Sequence, residues 1–132
     1  MIKKIVILIF IQFFLTYSSF SIEKETTFNK ELFNKAQSEG KIVVVSSWIK
    51  FCSSCASQMK VLNKAKNDGK LLDIKFENIE YFSFDVTNKE IADLLNVKFQ
   101  TTLLIYKNNK EIYRSLGETT EDLIYEALKK VI

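Results

Sequence analysis

The chain contains no proline, no histidine and only three glycines among its 132 residues. Without histidine, a metal site loses the most common partner of cysteine. Without proline, no loop is opened by an X-Pro bond. Cysteine is scarce too: Cys52 and Cys55 are the only two. No apolar run reaches the roughly 20 residues of a spanning helix; residues 5–15 are apolar but short, and interrupted at Gln12. No repeat, low-complexity tract or linker follows residue 22. What remains fits one domain. Apolar residues make up 47%, with eleven Phe and five Tyr, enough for a real core, and charged residues make up 27%.

Residues 1–21 differ from the rest. A basic start with Lys3 and Lys4 leads into the apolar run, then into the small, polar "TYSSFS". This is the order of a secretory signal, with Ser19 and Ser21 at the −3 and −1 places of a cleavage before Ile22. The alternative is an uncleaved membrane anchor. No cysteine follows the run to take a bacterial lipid. Cleavage leaves residues 22–132, and losing Lys3 and Lys4 takes the net charge from +3 to +1. A nearly neutral domain gives no electrostatic case for nucleic acid. Export, to the periplasm or beyond the cell, also lets a disulfide persist.

The remaining chain alternates in period. "TTFNKELFNKAQSEGK" reads as a helix capped by Thr26 or Thr27, with Phe28, Leu32, Phe33 and Ala36 as its apolar stripe and Gly40 as its stop. "KIVVVSS" is a β-branched run, the pattern of a strand buried on both faces. From Cys52 to about Lys66 the residues favour helix, with Cys55, Met59 and Leu62 on one side. Asp68-Gly69 breaks it, and "LLDIKFEN" suggests one more helical turn. "IEYFSFDV" alternates as a strand, and Tyr81, Phe82 and Phe84 read as core. Asp85 reads as a strand end, and Asn88 as the cap of a short helix over "NKEIADLLNV". "TTLLIYK" and "EIYRSL" form a hairpin around Asn108-Asn109, stopped by Gly117. "TTEDLIYEALKKVI" closes the chain as a helix capped by Thr119 or Thr120. Acids fill its first turn and Lys129 and Lys130 its last. The first two strands, joined through a helix, are expected to be parallel.

The two cysteines lie in "WIKFCSSCASQMK". As a structural clip they close a tiny loop and remove little entropy from the unfolded chain. As a metal site they supply two thiols where structural zinc takes four ligands; only a dimer pooling four thiols, or added carboxylates, would complete the set. As a redox centre they have a direct mechanism. A cysteine at the start of a helix, just after a buried strand, receives backbone N–H groups and the positive end of the helix dipole, which favours thiolate. A second cysteine one turn on can reach the first sulfur.

"VVVSSWIKFCSSC" resembles the strand, Trp, aromatic and Cys-x-x-Cys arrangement of the thioredoxin family. The resemblance continues through "FSFDVTNKEIADLLNV", "TTLLIYKNNKEI" and "RSLGETTEDLIYEAL", across residues 25–132. The "DVTN…LLNV" stretch is especially similar to the periplasmic C-terminal domain of the bacterial transmembrane disulfide reductase. The resemblance implies an α/β thioredoxin fold: a central mixed sheet of four to five strands with helices on both faces. It implies Cys52 as attacking thiol and Cys55 as buried resolving thiol. It makes Trp48, Phe51, Gln100 and Thr101 the substrate-facing residues, Trp48 shielding the disulfide.

This chain departs from the family in three places. The carboxylate usually found six residues before the first cysteine is Ser46, a poor base. The dipeptide between the cysteines is Ser53-Ser54, which carries no charge, so Lys50 is the nearby group able to favour a thiolate. The proline that relatives hold in cis opposite the cysteines is Thr101, whose hydroxyl is placed to donate to Cys52. The expected function is an exported thiol–disulfide oxidoreductase that reduces or exchanges protein disulfides. Its partners are protein thiols and disulfides and a dithiol redox protein, with the membrane involved only if the signal stays uncleaved. No cofactor or metal is expected beyond the Cys52–Cys55 pair. Two alternatives remain: a non-catalytic binding module with a structural disulfide, and a dimer binding metal or an iron–sulfur cluster through the same cysteines.

Overall fold

The computed structural model describes residues 24–67 and 78–131. The elements run α1 (Lys30–Ser38), β1 (Ile42–Trp48), α2 (Ser53–Asn67), β2 (Ile79–Asp85), α3 (Lys89–Leu94), β3 (Thr102–Lys107), β4 (Lys110–Leu116) and α4 (Glu121–Val131). The four strands form one mixed sheet in the order β2-β1-β3-β4. β1 pairs parallel with β2 and antiparallel with β3, and β3 pairs antiparallel with β4. Asn108 and Asn109 both take positive φ, the backbone that lets a two-residue turn follow the twist of the strands. The signal read over residues 1–21 and the break at Asp68-Gly69 lie outside the described residues. So does the turn read over "LLDIKFEN", apart from Asn78.

The β-branched run of β1 sits centrally because it is apolar on both sides. Ile42 and Val44, with Leu103 and Ile105, face α2 and α4 through Leu62, Ala65, Ile124 and Leu128. Val43 and Val45, with Phe82, Phe84 and Leu104, face α1 and α3 through Phe33, Ala36, Ala92 and Leu95. Burying each of these Val, Leu, Ile or Phe side chains contributes about 1.5–3 kcal/mol. Phe33 anchors the second face, its ring 5.2 Å from Phe28 and 5.0 Å, edge-on, from Tyr106.

Two local expectations fail for tertiary reasons. The cap of α1 is Asn29, whose side chain accepts from Leu32 N at 2.9 Å, and not Thr26 or Thr27. Those threonines pair with β2 instead: Thr26 Oγ1 accepts from Asp85 N at 3.1 Å and Thr27 Oγ1 from Ser83 N at 2.9 Å. The buried face of α1 is then Phe33, Ala36 and Gln37. Leu32 precedes Phe33 by one residue, about 100° around the helix, and is 53% exposed. The stop works as read: Gly40, at φ +74°, donates to Gln37 O, and Lys41 N bonds Ala36 O.

Candidate active site

β1 ends at Trp48, and a four-residue loop, residues 49–52, turns the chain through Phe51 at φ +61° into α2. Cys52 is therefore the residue just before the helix. Its sulfur accepts the Cys55 N–H at 3.1 Å, the geometry of an N-cap, so a free backbone donor and the helix dipole both point at it. Cys52 is partly exposed and Cys55 is 1% exposed. The two form a disulfide across a Cα–Cα distance of 5.3 Å. Lys24, which the sequence reading passed over, fastens the loop from outside: its ammonium donates to Ile49 O at 3.2 Å and Cys52 O at 2.9 Å.

Thr101 lies directly over the disulfide. Its hydroxyl is 3.2 Å from Cys55 Sγ, 3.6 Å from Cys52 Sγ and 2.9 Å from Ser54 Oγ. The hydroxyl expected near Cys52 thus reaches both sulfurs of the disulfide, with Cys55 Sγ the nearer. The Gln100–Thr101 bond is trans and Thr101 sits at φ +59°, an uncommon region for a β-branched residue. Three hydrogen bonds hold it there. Thr101 N donates to Ser47 O at 2.9 Å, and Thr101 O accepts from Gly117 N at 2.9 Å and from Gln58 Nε2 at 3.3 Å.

Gln58 also escaped the sequence reading. It is fully buried one turn beyond Cys55, and its amide bridges Thr101 O to Glu118 O, the latter at 2.8 Å. The signal for it was a polar residue on the helix face that carries Cys55, Met59 and Leu62.

The other expected site residues divide. Ser54 is exposed and joins the sulfur cluster, its hydroxyl 3.3 Å from Cys52 Sγ. Ser53 is exposed at the first position of α2. Ser46 is buried and lines a cavity of about 210 Å³ with Met59, Leu62 and Tyr81. Lys50 is drawn elsewhere, its ammonium 5.1 Å from the Phe51 ring centroid; such an exposed contact contributes about 0.5–1 kcal/mol. Phe51 itself is 93% exposed. Gln100 is exposed beside Thr101. Trp48 is half-buried and donates from Nε1 to Glu25 O at 3.2 Å. Asp85 ends β2 and accepts from Thr87 N, and Asn88 caps α3 by accepting from Ile91 N. Among the described residues, the one side-chain oxygen within hydrogen-bond reach of Cys55 Sγ is that of Thr101.

The comparisons with known proteins point the same way. The family model described as Thioredoxin matches residues 20–130. The H-type thioredoxin of Fagopyrum esculentum is 26% identical over 97 residues, spanning 73% of this chain and 78% of that protein. The crystal structure of Trxlp from Edwardsiella tarda superposes with a TM-score of 0.68 at 24% identity, over 76% of this chain and 94% of that one. The germline thioredoxin Deadhead of Drosophila gives 0.64 at 13% identity, over 84% of this chain and all of that one. At these identities the two structures carry the fold, and the family match carries the chemistry. A four-stranded mixed sheet, a cysteine pair at the start of the helix after its central strand, and a family match over most of the chain converge on one conclusion. The chain belongs to the thioredoxin family and is a thiol–disulfide oxidoreductase acting on protein thiols and disulfides.

Proposed function

We propose that this protein is exported and reduces or exchanges disulfides of other proteins outside the cytosol. Cys52 is the nucleophile: its thiolate attacks a substrate disulfide, one substrate sulfur leaves as a thiol, and Cys52 is joined to the other in a mixed disulfide. Cys55 then attacks the Cys52 sulfur. The second substrate thiol leaves, and the Cys52–Cys55 disulfide remains until a dithiol partner protein reduces it. The observation that supports these roles is the asymmetry of the pair. Cys52 is partly exposed and its Sγ accepts the Cys55 N–H at 3.1 Å, whereas Cys55 is 1% exposed. Phe51, exposed one residue before Cys52, and Gln100, exposed one residue before Thr101, support a polypeptide substrate.

The roles are tested by substitution and alkylation. Cys52→Ser is expected to abolish exchange, and Cys55→Ser to accumulate mixed disulfides. In the reduced protein Cys52 is expected to alkylate first. Equal alkylation of both thiols, or turnover without Cys52, would overturn the assignment. Export rests on the order of residues 1–21. Mass spectrometry of protein from its native host is expected to find an N-terminus at or near Ile22; an intact Met1 in the membrane fraction would replace export with anchoring.

A further inference from the structure

Resolution of the mixed disulfide poses a proton problem. Cys55 must attack as a thiolate, yet it is 1% exposed, and burial disfavours the charged form. A base close by would solve this, but the residue six positions before Cys52 is Ser46, which does not take up a proton at neutral pH. The polar side chain that does reach Cys55 Sγ is Thr101, and its hydroxyl is linked onward. From Cys55 Sγ the path is 3.2 Å to Thr101 Oγ1, 2.9 Å to Ser54 Oγ and 3.3 Å to Cys52 Sγ. It begins at a buried sulfur, passes through the exposed Ser54 and ends at the attacked sulfur.

We propose that Thr101 and Ser54 form a two-hydroxyl relay that carries the proton of Cys55 outward as Cys55 resolves the mixed disulfide. This inference rests on the exchange reading given above. A hydroxyl both donates and accepts, so the chain can be oriented in two directions. Before the step, the Cys55 thiol donates to Thr101 Oγ1, Thr101 donates to Ser54 Oγ, and Ser54 points at the sulfur leaving Cys52. As Cys55 Sγ bonds to Cys52 Sγ, the bond between Cys52 and the substrate sulfur breaks and that sulfur takes the electron pair. Each hydroxyl hands on one proton and receives another. The departing sulfur ends as a thiol, and no outside acid, base or oxidant enters the balance. In the product a disulfide sulfur has no proton to give, so Thr101 donates to Cys55 Sγ and Ser54 donates to Thr101. The hydrogen bonds that Thr101 donates to Ser47 O and accepts from Gln58 and Gly117 fix its backbone, which keeps the middle of the relay in place.

Rapid-quench mass spectrometry tests the relay. Reduced protein is mixed with excess oxidised glutathione, and mixed and internal disulfides are counted over time. Attack by Cys52 scales with glutathione concentration; resolution is a first-order plateau. In the wild type the plateau is expected to vary little with pH around neutrality and to slow in deuterated water. Ser54→Ala and Thr101→Val are expected to slow it about a hundredfold and make it rise about tenfold per pH unit as hydroxide takes over, both effects read from the plateau and not from the attack constant. Thr101→Ser and Ser54→Thr, which keep the hydroxyls, are expected to restore the wild-type plateau and pH profile. Ser54 is exposed, so Ser54→Ala carries the test even if Thr101→Val misfolds. Unchanged resolution in Ser54→Ala, or an unchanged pH profile, overturns the relay alone. Absence of any mixed disulfide in Cys55→Ser overturns the exchange reading with it.

Discussion

Thr101→Pro separates this structure from the family pattern. Relatives carry proline at this place, so the pattern alone implies that proline improves the protein. The geometry implies the reverse. Proline fixes φ near −65°, about 120° from the +59° of Thr101, and has no N–H. The bond to Ser47 O, at 2.9 Å, disappears, and stranding an acceptor of a residue 2% exposed costs about 1–3 kcal/mol. Rotating the residue out of the left-handed region also pulls Thr101 O away from Gly117 N and Gln58 Nε2, at about 1 kcal/mol each. Against this stand about 1–2 kcal/mol of relieved left-handed strain and about 0.4–1 kcal/mol of entropy removed from the unfolded chain.

The balance is a loss of about 2 kcal/mol, which lowers Tm by roughly 8 °C or more for a domain of this size. Urea unfolding of the oxidised protein, followed by circular dichroism, measures it. Thr101→Gly is the control. Glycine takes positive φ without strain but loosens the unfolded chain and loses the hydroxyl, so its stability is expected to stay within about 1 kcal/mol of wild type. A Thr101→Pro protein as stable as wild type would refute the reasoning, because its loop would then have found another backbone. Equal losses in both variants would place the cost in the hydroxyl and not in φ.

Three other outcomes are expected. Gln58→Leu removes the donor to Thr101 O and Glu118 O, and is expected to cost about 1–3 kcal/mol and to speed amide exchange at Thr101 and Gly117; unchanged exchange would mean that the amide does not hold the loop. Leu128, fully buried between α4 and the sheet, is expected to lose about 2–5 kcal/mol on change to Ala, read from the urea midpoint. Tyr81 and Tyr106 are both pushed up to about 12 from an ordinary 10.0, mainly by burial, with Tyr125 adding at the first and Glu111 at the second. The folded state thus holds these protons more tightly than the unfolded state, so the stability they contribute is whole below pH 10 and is lost as pH rises from 10 to 12. Two phenols ionising late in an ultraviolet titration of the folded protein check this, and ionisation of every phenol near 10 would contradict it.

Much of the fold was legible because local signals agreed with the tertiary outcome. "KIVVVSS" announces a strand with no polar face, and only the middle of a covered sheet can hold it. Asn108-Asn109 announces a tight turn because both residues tolerate positive φ. Strand order was less legible: nothing in "TTLLIYK" says that it inserts between β1 and β4, since that depends on which edge of β1 is free after β2 has paired. The α1 cap was misread for a similar reason. Thr26 and Thr27 have the chemistry of a cap, but β2 offers their hydroxyls the N–H groups of Ser83 and Asp85, and a local motif cannot reveal a competitor nearly 60 residues away.

The active site shows where reading by position stops. The substitution of Thr101 for proline was visible, and it raised the question of what else could hold the loop against the cysteines. A proline sets its backbone through a ring, within one residue. Thr101 is set from outside, by Ser47 from β1, Gly117 from the end of β4 and Gln58 from α2. Each of the three looks ordinary in sequence: a serine in a strand, a glycine after one, a glutamine in a helix. Their joint role exists only once the sheet has brought β1, β3 and β4 together and α2 has packed across them. The loop is therefore ordered by the fold as a whole, and its geometry should loosen when distant core contacts do. A core substitution such as Leu128→Ala is therefore expected to speed amide exchange at Thr101, an effect that a loop held by its own ring would not share.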